Sequence, residues 1–288
     1  MKGIIMQDSR LRKAQIIEAE LLQTFAAICE KEGLQYYLLG GTLIGAMRHH
    51  GFIPWDDDID VGMPREDYNR FIEIAPKYLQ DGKKVLHYKI DASTPFYFIK
   101  LLDSNVCFVI QDVHSTRELN CWIDIFPIDG VPDNMLVRWW HQRVLDYYKM
   151  LLGFSRIQNM PITENCPVWK KVIFALAYFF SADKYVDSVK AKQAMDRELE
   201  KYPISACTLA GNHVGVYHEK EFVPREYFGQ GCEVEFEGRK HIAPAEPDKY
   251  LKNIYGDYMH LPPEEKRVSD HHVIEIHFLN EKAGEKLS

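Results

Sequence analysis

The stretch that most constrains this chain runs from Leu38 to Pro64, LLGGTLIGAMRHHGFIPWDDDIDVGMP. It opens apolar, breaks at Gly40-Gly41, and closes with four aspartates in five positions, Asp56, Asp57, Asp58 and Asp60. Carboxylates this close repel one another, and a fold that gathers them is destabilised unless a positive charge sits among them. Ile59 and Val61 interleave the last acids with apolar residues, so the acids ride on a segment that favours burial. An apolar frame that holds acids together points to a divalent cation.

Asp58 to Val61 fits a strand, whose alternate residues face one side. Asp58 and Asp60 then share a face, Asp57 points away and Asp56 is auxiliary. Upstream, LQYYLL (34 to 39) reads as a short buried strand that Gly40-Gly41 ends. Thr42 is placed to cap a short helix through Met47 or Arg48. A strand, a Gly-Gly turn and a helix leave backbone N–H groups free at a helix N-terminus, where an anion binds well. Before it, Leu11, Ile16, Ile17, Leu21, Leu22, Phe25 and Ile28 recur at helical spacing and predict an amphipathic helix over 11 to 31. After it, Pro64 opens a helix to about Leu79.

Strands are expected at 84 to 90, 96 to 102 and 105 to 113, with turns at Asp91-Ala92-Ser93 and Asp103-Ser104-Asn105. CWIDIF (121 to 126) alternates and Pro127 stops it. Asp124 is a lone acid between Ile123 and Ile125. Such an acid is ordinarily an exposed edge charge, but its apolar neighbours and the upstream carboxylate strand favour a third metal ligand. Three helices follow, at 134 to 152, 167 to 180 and 182 to 201. Short strands are expected at 214 to 217, a hairpin at 232 to 236 and 239 to 243 through Glu237-Gly238, a helix at 247 to 255 ended by Gly256, and a strand at 273 to 278. The chain divides into a catalytic core (1 to 133), a helical insertion or subdomain (134 to 205) and a C-terminal part that completes the core (206 to 288).

Composition narrows the function. A net charge of −7 and a pI near 6.0 argue against a general nucleic-acid binder. A negative protein that handles phosphate needs metal ions or a few placed Lys and Arg. The six cysteines are scattered with no C-x-x-C pair, which fits reduced thiols rather than zinc or disulfides. The N-terminus MKGIIMQDSRLRKAQ lacks the apolar core of a signal peptide. The longest apolar run, Val172 to Phe180, has nine residues, about half a bilayer span. The expected location is cytoplasmic.

A Gly-Gly turn after a strand, a D-h-D pair on the next strand and a later h-D-h form the pattern of the nucleotidyltransferase fold. The expected class is α+β, a mixed β-sheet flanked by helices with an additional helical subdomain. The glycines let backbone approach phosphate, and the carboxylates bind Mg²⁺ through oxygen. The longer string GGTLIGAMRHHGFIPWDDDIDVGMPREDY strongly resembles the LicD family, which shares this domain with fukutin and the fukutin-related protein. FIKLLDSN (98 to 105), WIDIFPIDGVP (122 to 132) and YGDYMHLPPEEKR (255 to 267) extend the match in the family's order.

The resemblance implies a Mg²⁺-dependent transferase (Mn²⁺ being an alternative) that moves phosphocholine, or a related phospho-amine or phospho-alditol, from a CDP-linked donor. The acceptor would be a glycan or lipid-linked glycan, with teichoic acid and lipopolysaccharide the usual cases. An acceptor hydroxyl attacks phosphorus and CMP leaves, with Asp124 a candidate proton acceptor. Asp58 and Asp60 become the core metal ligands, Asp124 the third, and Asp56 assists through a water or from behind the ligands. Gly40, Gly41 and Thr42 cradle donor phosphate. Lys100 offsets phosphate charge or is a snorkelling surface lysine; Arg48 contacts the donor or serves the helix C-terminus. His49 and His50 read as structural or exposed. His272 in the tail pair His271-His272 contacts phosphate, acts as acid or base, or has no role. Trp55 packs the loop or stacks on cytosine. Trp139-Trp140 holds choline, packs in a core, or faces a membrane, since the aromatic helices 134 to 152 and 167 to 180 allow peripheral contact at the inner membrane face. Two other readings stay open: a nucleotidyltransferase that releases pyrophosphate, and a non-catalytic nucleotide- or glycan-binding module.

Overall fold

The computed structural model describes residues 2–111, 116–157, 168–267 and 273–278. Its first element is helix α1 (Lys2–Glu32), longer at its start than the periodicity predicts. Ala14, Leu21, Leu22, Phe25, Ile28 and Cys29 fall on one helical face, and that face is buried. It packs against a sheet whose strands run in the order β1 (Tyr37–Leu38), β2 (Asp60–Pro64), β5 (Thr116–Val131), β4 (Ile99–Gln111), β10 (Val273–Phe278). β3 (Lys83–Leu86) also pairs with β4, while β6 (Leu209–Gly211) joins β5 to β7 (Val223–Pro224). β2 and β5 are parallel and the other pairs antiparallel, so the fold is the expected mixed α+β arrangement.

Several local expectations need correction. Only Tyr37 and Leu38 of 34 to 39 are in a strand. Thr42 caps nothing: helix α2 (Gly40–His49) starts at the glycines, with Leu39 at its N-cap and no side-chain cap bond. The two strands read over 96 to 113 are one strand as far as Gln111, with a bulge between Asp103 and Cys107 in place of a turn. Pro127 does not stop β5. It pairs with Met63 on the parallel side, while on the other side β4 has ended opposite Ile125 and β6 begins opposite Asp129. No ladder on that side loses a bond to the missing N–H. Pro64 precedes helix α3 (Arg65–Ile74), which gives way to a 3₁₀ turn at Ala75–Lys77, where Pro76 cannot extend the α-helical ladder. Residues 214 to 217 form no strand; they belong to a loop between β6 and β7.

The later elements follow from local chemistry. β8 (Cys232–Phe236) and β9 (Arg239–Ala243) form the expected hairpin, its two turn residues Glu237 and Gly238 both at positive φ (52° and 71°). Helix α7 (Pro247–Tyr255) ends at Gly256. Helices α4 (Met135–Phe154) and α6 (Ser188–Leu199) share a small core of Leu145, Leu152, Ala191, Met195 and Leu199 with Tyr97. Helix α5 (Val168–Phe179) lies beside α4. Asp187 caps α6, accepting from Lys190 N–H (3.0 Å). Arg65 ties this block to the sheet: its guanidinium donates to both oxygens of Asp129 (2.7 and 2.6 Å) and to Asp196 (3.2 Å). Tyr88 and Tyr97 hydroxyls also donate to Asp196. Among the described residues no helix is long and apolar enough to cross a membrane.

Candidate active site

The parallel pairing of β2 with β5 places Asp60 directly beside Asp124, and the antiparallel pairing of β5 with β4 places Asp124 directly beside Lys100. Neighbouring strands lie about 4.8 Å apart, so two acids and a base form one row across three strands. The Lys100 ammonium is ion-paired with Asp124 Oδ1 and sits over the rings of Trp122 (4.7 Å), Phe96 (4.8 Å) and Phe98 (5.2 Å). Backbone bonds pin the row at its acidic end. The Asp60 N–H donates to Thr42 Oγ1 (2.8 Å), Leu39 N–H donates to the Asp60 carbonyl (3.0 Å), and Asp124 N–H donates to the Ile59 carbonyl (2.8 Å).

Asp56, Asp58, Asp60 and Asp124 line one cavity of about 550 Å³, together with Gly40, Gly41, Trp55, Phe98, Phe126, Tyr217, Tyr250, Tyr255, Glu221 and Lys266. The two glycines are there for space. A Cβ on Gly40 would lie 2.8 Å from Asp60 Oδ2, and one on Gly41 would lie 2.5 Å from Asp56 Oδ2. The N-terminus of α2 therefore abuts the acids, and its partial positive charge favours them. Burial pushes the Asp60 carboxyl well above the usual carboxylate range; the charges of Asp58, Asp124 and Asp56 add to the push, and Lys100 opposes it. The donors are all carboxylate oxygens, the chemistry of Mg²⁺ and Mn²⁺ rather than of zinc or copper. Among the described residues, no three His, Cys, Asp or Glu side chains stand close enough to hold an ion as they are. The donor set and its mutual repulsion fit a hard cation that would draw the acids in.

Other expected site residues are placed elsewhere. Thr42 is buried and spends its hydroxyl on the Asp60 N–H, away from the cavity. Arg48 sits at the far end of α2, where it donates to the Tyr258 carbonyl (2.6 Å) and to His49 Nε2 (2.9 Å). His50 ends α2 in the left-handed conformation. Asp57 turns into the protein and is 1% exposed. His271 and His272 lie outside the described residues. Trp55 lines the cavity and packs under the Arg267 guanidinium, 5.6 Å from its ring.

The sequence reading missed four residues. Gln15 of α1 holds the aspartate loop, donating to the carbonyl of Asp56 (2.9 Å). Glu18 lies fully buried beneath the cluster with neither carboxyl oxygen hydrogen-bonded; burial, then the charges of Asp58, Asp57, Asp56 and Asp124, push it well above the usual range. It was detectable as an acid on the apolar face between Ala14 and Leu21. Lys266, within the LPPEEKR string, reaches the cavity. Glu221 also reaches it, from a loop with no sequence signal.

The strand expected over Asp58 to Val61 starts only at Asp60, so the sheet itself sets Asp60 beside Asp124 while Asp58 precedes the strand. A sheet that sets one acid of a D-h-D pair beside a lone acid, next to a glycine-started helix, defines a nucleotidyltransferase-like enzyme. The comparisons with known proteins agree. A family profile described as LicD/FKTN/FKRP, nucleotidyltransferase domain, matches residues 33–168. The lipopolysaccharide cholinephosphotransferase LicD of Haemophilus influenzae is 33% identical over 284 residues, 95% of this chain and 100% of that protein. The human ribitol 5-phosphate transferase FKRP is 44% identical over 48 residues, 17% of this chain and 10% of that protein. The chain belongs to the LicD family and is a LicD-type transferase.

Proposed function

We propose that the protein transfers phosphocholine, or a closely related phospho-amine or phospho-alditol, from a CDP-linked donor to a hydroxyl of a cell-surface glycan precursor, releasing CMP. The observation that carries this reading is the likeness over the full length of the Haemophilus influenzae cholinephosphotransferase, joined to the acid row of β2 and β5. The acceptor would be a lipopolysaccharide or teichoic acid precursor. The reaction is placed at the inner membrane face, with the protein a peripheral visitor from the cytoplasm.

Asp58, Asp60 and Asp124 would hold Mg²⁺ or Mn²⁺, with Asp56 beside them. Such an ion neutralises phosphate charge during transfer. The chain's own groups do the rest. Gly40 and Gly41 bring the N-terminus of α2 to the cavity, where backbone N–H groups suit phosphate oxygens. Lys266 adds positive charge to the cavity lining. The aromatic lining of Trp55, Phe98, Phe126, Tyr217, Tyr250 and Tyr255 suits a quaternary ammonium and a nucleobase better than a neutral alditol. Most of the acceleration would come from positioning and charge neutralisation.

The test is CMP release with Mg²⁺ across CDP-choline, CDP-ethanolamine, CDP-ribitol and CDP-glycerol. Turnover is expected to be fastest with CDP-choline, to stop on chelation, and to fall about 100-fold or more in Asp58→Ala and Asp60→Ala. Folded variants that turn over normally would remove these acids from the site. Pyrophosphate in place of CMP would make the protein a nucleotidyltransferase, and nucleotide binding without turnover a binding module.

A further inference from the structure

The cavity holds one carboxylate that the metal reading leaves unused. We propose that Glu221 is the general base that takes the proton from the attacking acceptor hydroxyl. This rests on the transferase reading above and adds to it the residue that moves the proton.

The other carboxylates of the cavity are engaged. Asp124 is ion-paired with Lys100, Asp60 and Asp56 abut Gly40 and Gly41 at the start of α2, and Asp58 stands with them in the cavity lining. Glu221 comes from elsewhere in the fold, the 3₁₀ turn His218–Glu221, and enters the same cavity with the loop residues Asn212, Val214, Gly215, Val216 and Tyr217. It is 5% exposed, so what water it meets is that of the cavity. Glu221, Tyr250 and the acids Asp58, Asp60 and Asp124 line the same cavity, and the charges of Glu221 and Asp60 both push the Tyr250 phenol up.

The surroundings fix its position. Tyr217 N–H donates to Glu221 Oε1 (3.0 Å). Gly215 has no side chain because a Cβ there would lie 1.9 Å from Oε1 and 2.2 Å from Oε2. The loop is in turn braced by α4: Lys149 donates to the His213 carbonyl (2.6 Å) and Gln142 Nε2 meets His213 Nδ1 (2.7 Å). The charged and titratable groups facing the carboxyl are Lys149 of α4, Tyr250 of α7 and Tyr217 of the loop. Burial raises it to about 7, against the pull of the Tyr217 N–H, Lys149 and Asn212. A base is most effective when its pKa lies near the working pH.

In the step itself, the acceptor O–H bond breaks and its proton passes to the Glu221 carboxylate. The freed oxygen forms a bond to the phosphorus that bears the head group. The bond from that phosphorus to the bridging oxygen of CMP breaks, and CMP leaves with the electron pair. Glu221 then releases its proton to water.

The test compares wild type with Glu221→Gln, which keeps the size and one acceptor oxygen for Tyr217. CMP release from CDP-choline, with water or a methyl glycoside as acceptor, is followed from pH 5.5 to 9. Wild type is expected to lose rate below about pH 7 with unit slope. The Gln variant is expected to lose about 100-fold in kcat, to keep its donor KM, and to lose the acidic limb. A structural role would instead raise KM, lower the melting temperature and leave the limb in place. A Gln variant within threefold of wild type, with the limb intact, overturns the proposal. If the Gln variant does not fold, Glu221→Asp serves: a base gives a displaced limb, and an unmoved limb overturns the role. A wild type that releases no CMP from any of the four donors brings down the transferase reading, and the base with it.

Discussion

Glu18 occupies a position that α1 otherwise gives to apolar side chains. With neither oxygen bonded, its carboxyl is pushed well above the usual range by burial and by the charges of the nearby aspartates. A carboxyl whose folded pKa lies above its reference value of 4.5 binds more protons folded than unfolded. Its contribution to stability is therefore full below about pH 4.5 and declines as the pH climbs toward the folded value. Glu18→Met removes the unsatisfied acid and keeps the volume. The expected gain at pH 8 is about 1–3 kcal/mol, or roughly 3–9 °C at about 3 °C per kcal/mol. Thermal melts at pH 5 and pH 8 check it: the gain is to be smaller at pH 5, and a loss at both would mean that the acid is held by favourable contacts. This residue also marks how a single position can be legible and still be passed over. Its helical phase put it on the buried face, but its neighbours in space are aspartates about 40 residues away, which no periodicity reveals.

At the scale of elements, Arg65 joins α3, β5 and α6 through one buried guanidinium. Replacing it with Met leaves Asp129 and Asp196 buried without that cation, a loss of about 3–5 kcal/mol. Urea denaturation is expected to give a lower midpoint with an unchanged slope. A shift under about 1 kcal/mol would assign the tie instead to Tyr88, Tyr97 and Lys89, whose ammonium lies 3.0 Å from Asp196 Oδ2. Elements fixed by local chemistry were legible. Glu237-Gly238 accepts positive φ and Gly256 ends α7, so the hairpin and the helix fall where their own residues put them. Elements fixed by partners were not. Pro127 stays in β5 because neighbouring strands leave its side of the ladder open, and Asp103 to Asn105 bulges instead of turning because β5 continues past it. The acids of the site were named from their spacing. Their row with Lys100 needed the register of three strands, and the Thr42 hydroxyl was taken by a backbone N–H that the sequence does not bring near.

For the whole molecule, the distribution of apolar surface matters more than its total. α4 packs His141, Leu145 and Leu152 inward, while Met135 and Leu136 are 79% exposed and Trp139 and Trp140 are 59% and 64% exposed. On and just after α5, Leu176, Tyr178, Phe179 and Phe180 are also exposed. The tryptophans thus form neither a helical core nor part of the cavity lining, and bilayer contact by the aromatic helices is the reading put to the test below. Apolar and aromatic residues on one side of a helix suit the bilayer interface. Gln142 and Lys149, on the flank of α4 between its buried face and the tryptophans, meanwhile brace the loop that carries one wall of the cavity. The double variant Trp139→Ser with Trp140→Ser tests this. Each ring fully buried contributes about 1.5–3 kcal/mol, so losing both is expected to weaken co-sedimentation with phosphatidylglycerol vesicles by about a hundredfold or more. CMP release from soluble CDP-choline is to stay at the wild-type rate, since neither ring lines the cavity. A wild type that remains in the supernatant rules the bilayer out. If light scattering then finds a dimer that the double variant abolishes, the patch joins two copies of the chain.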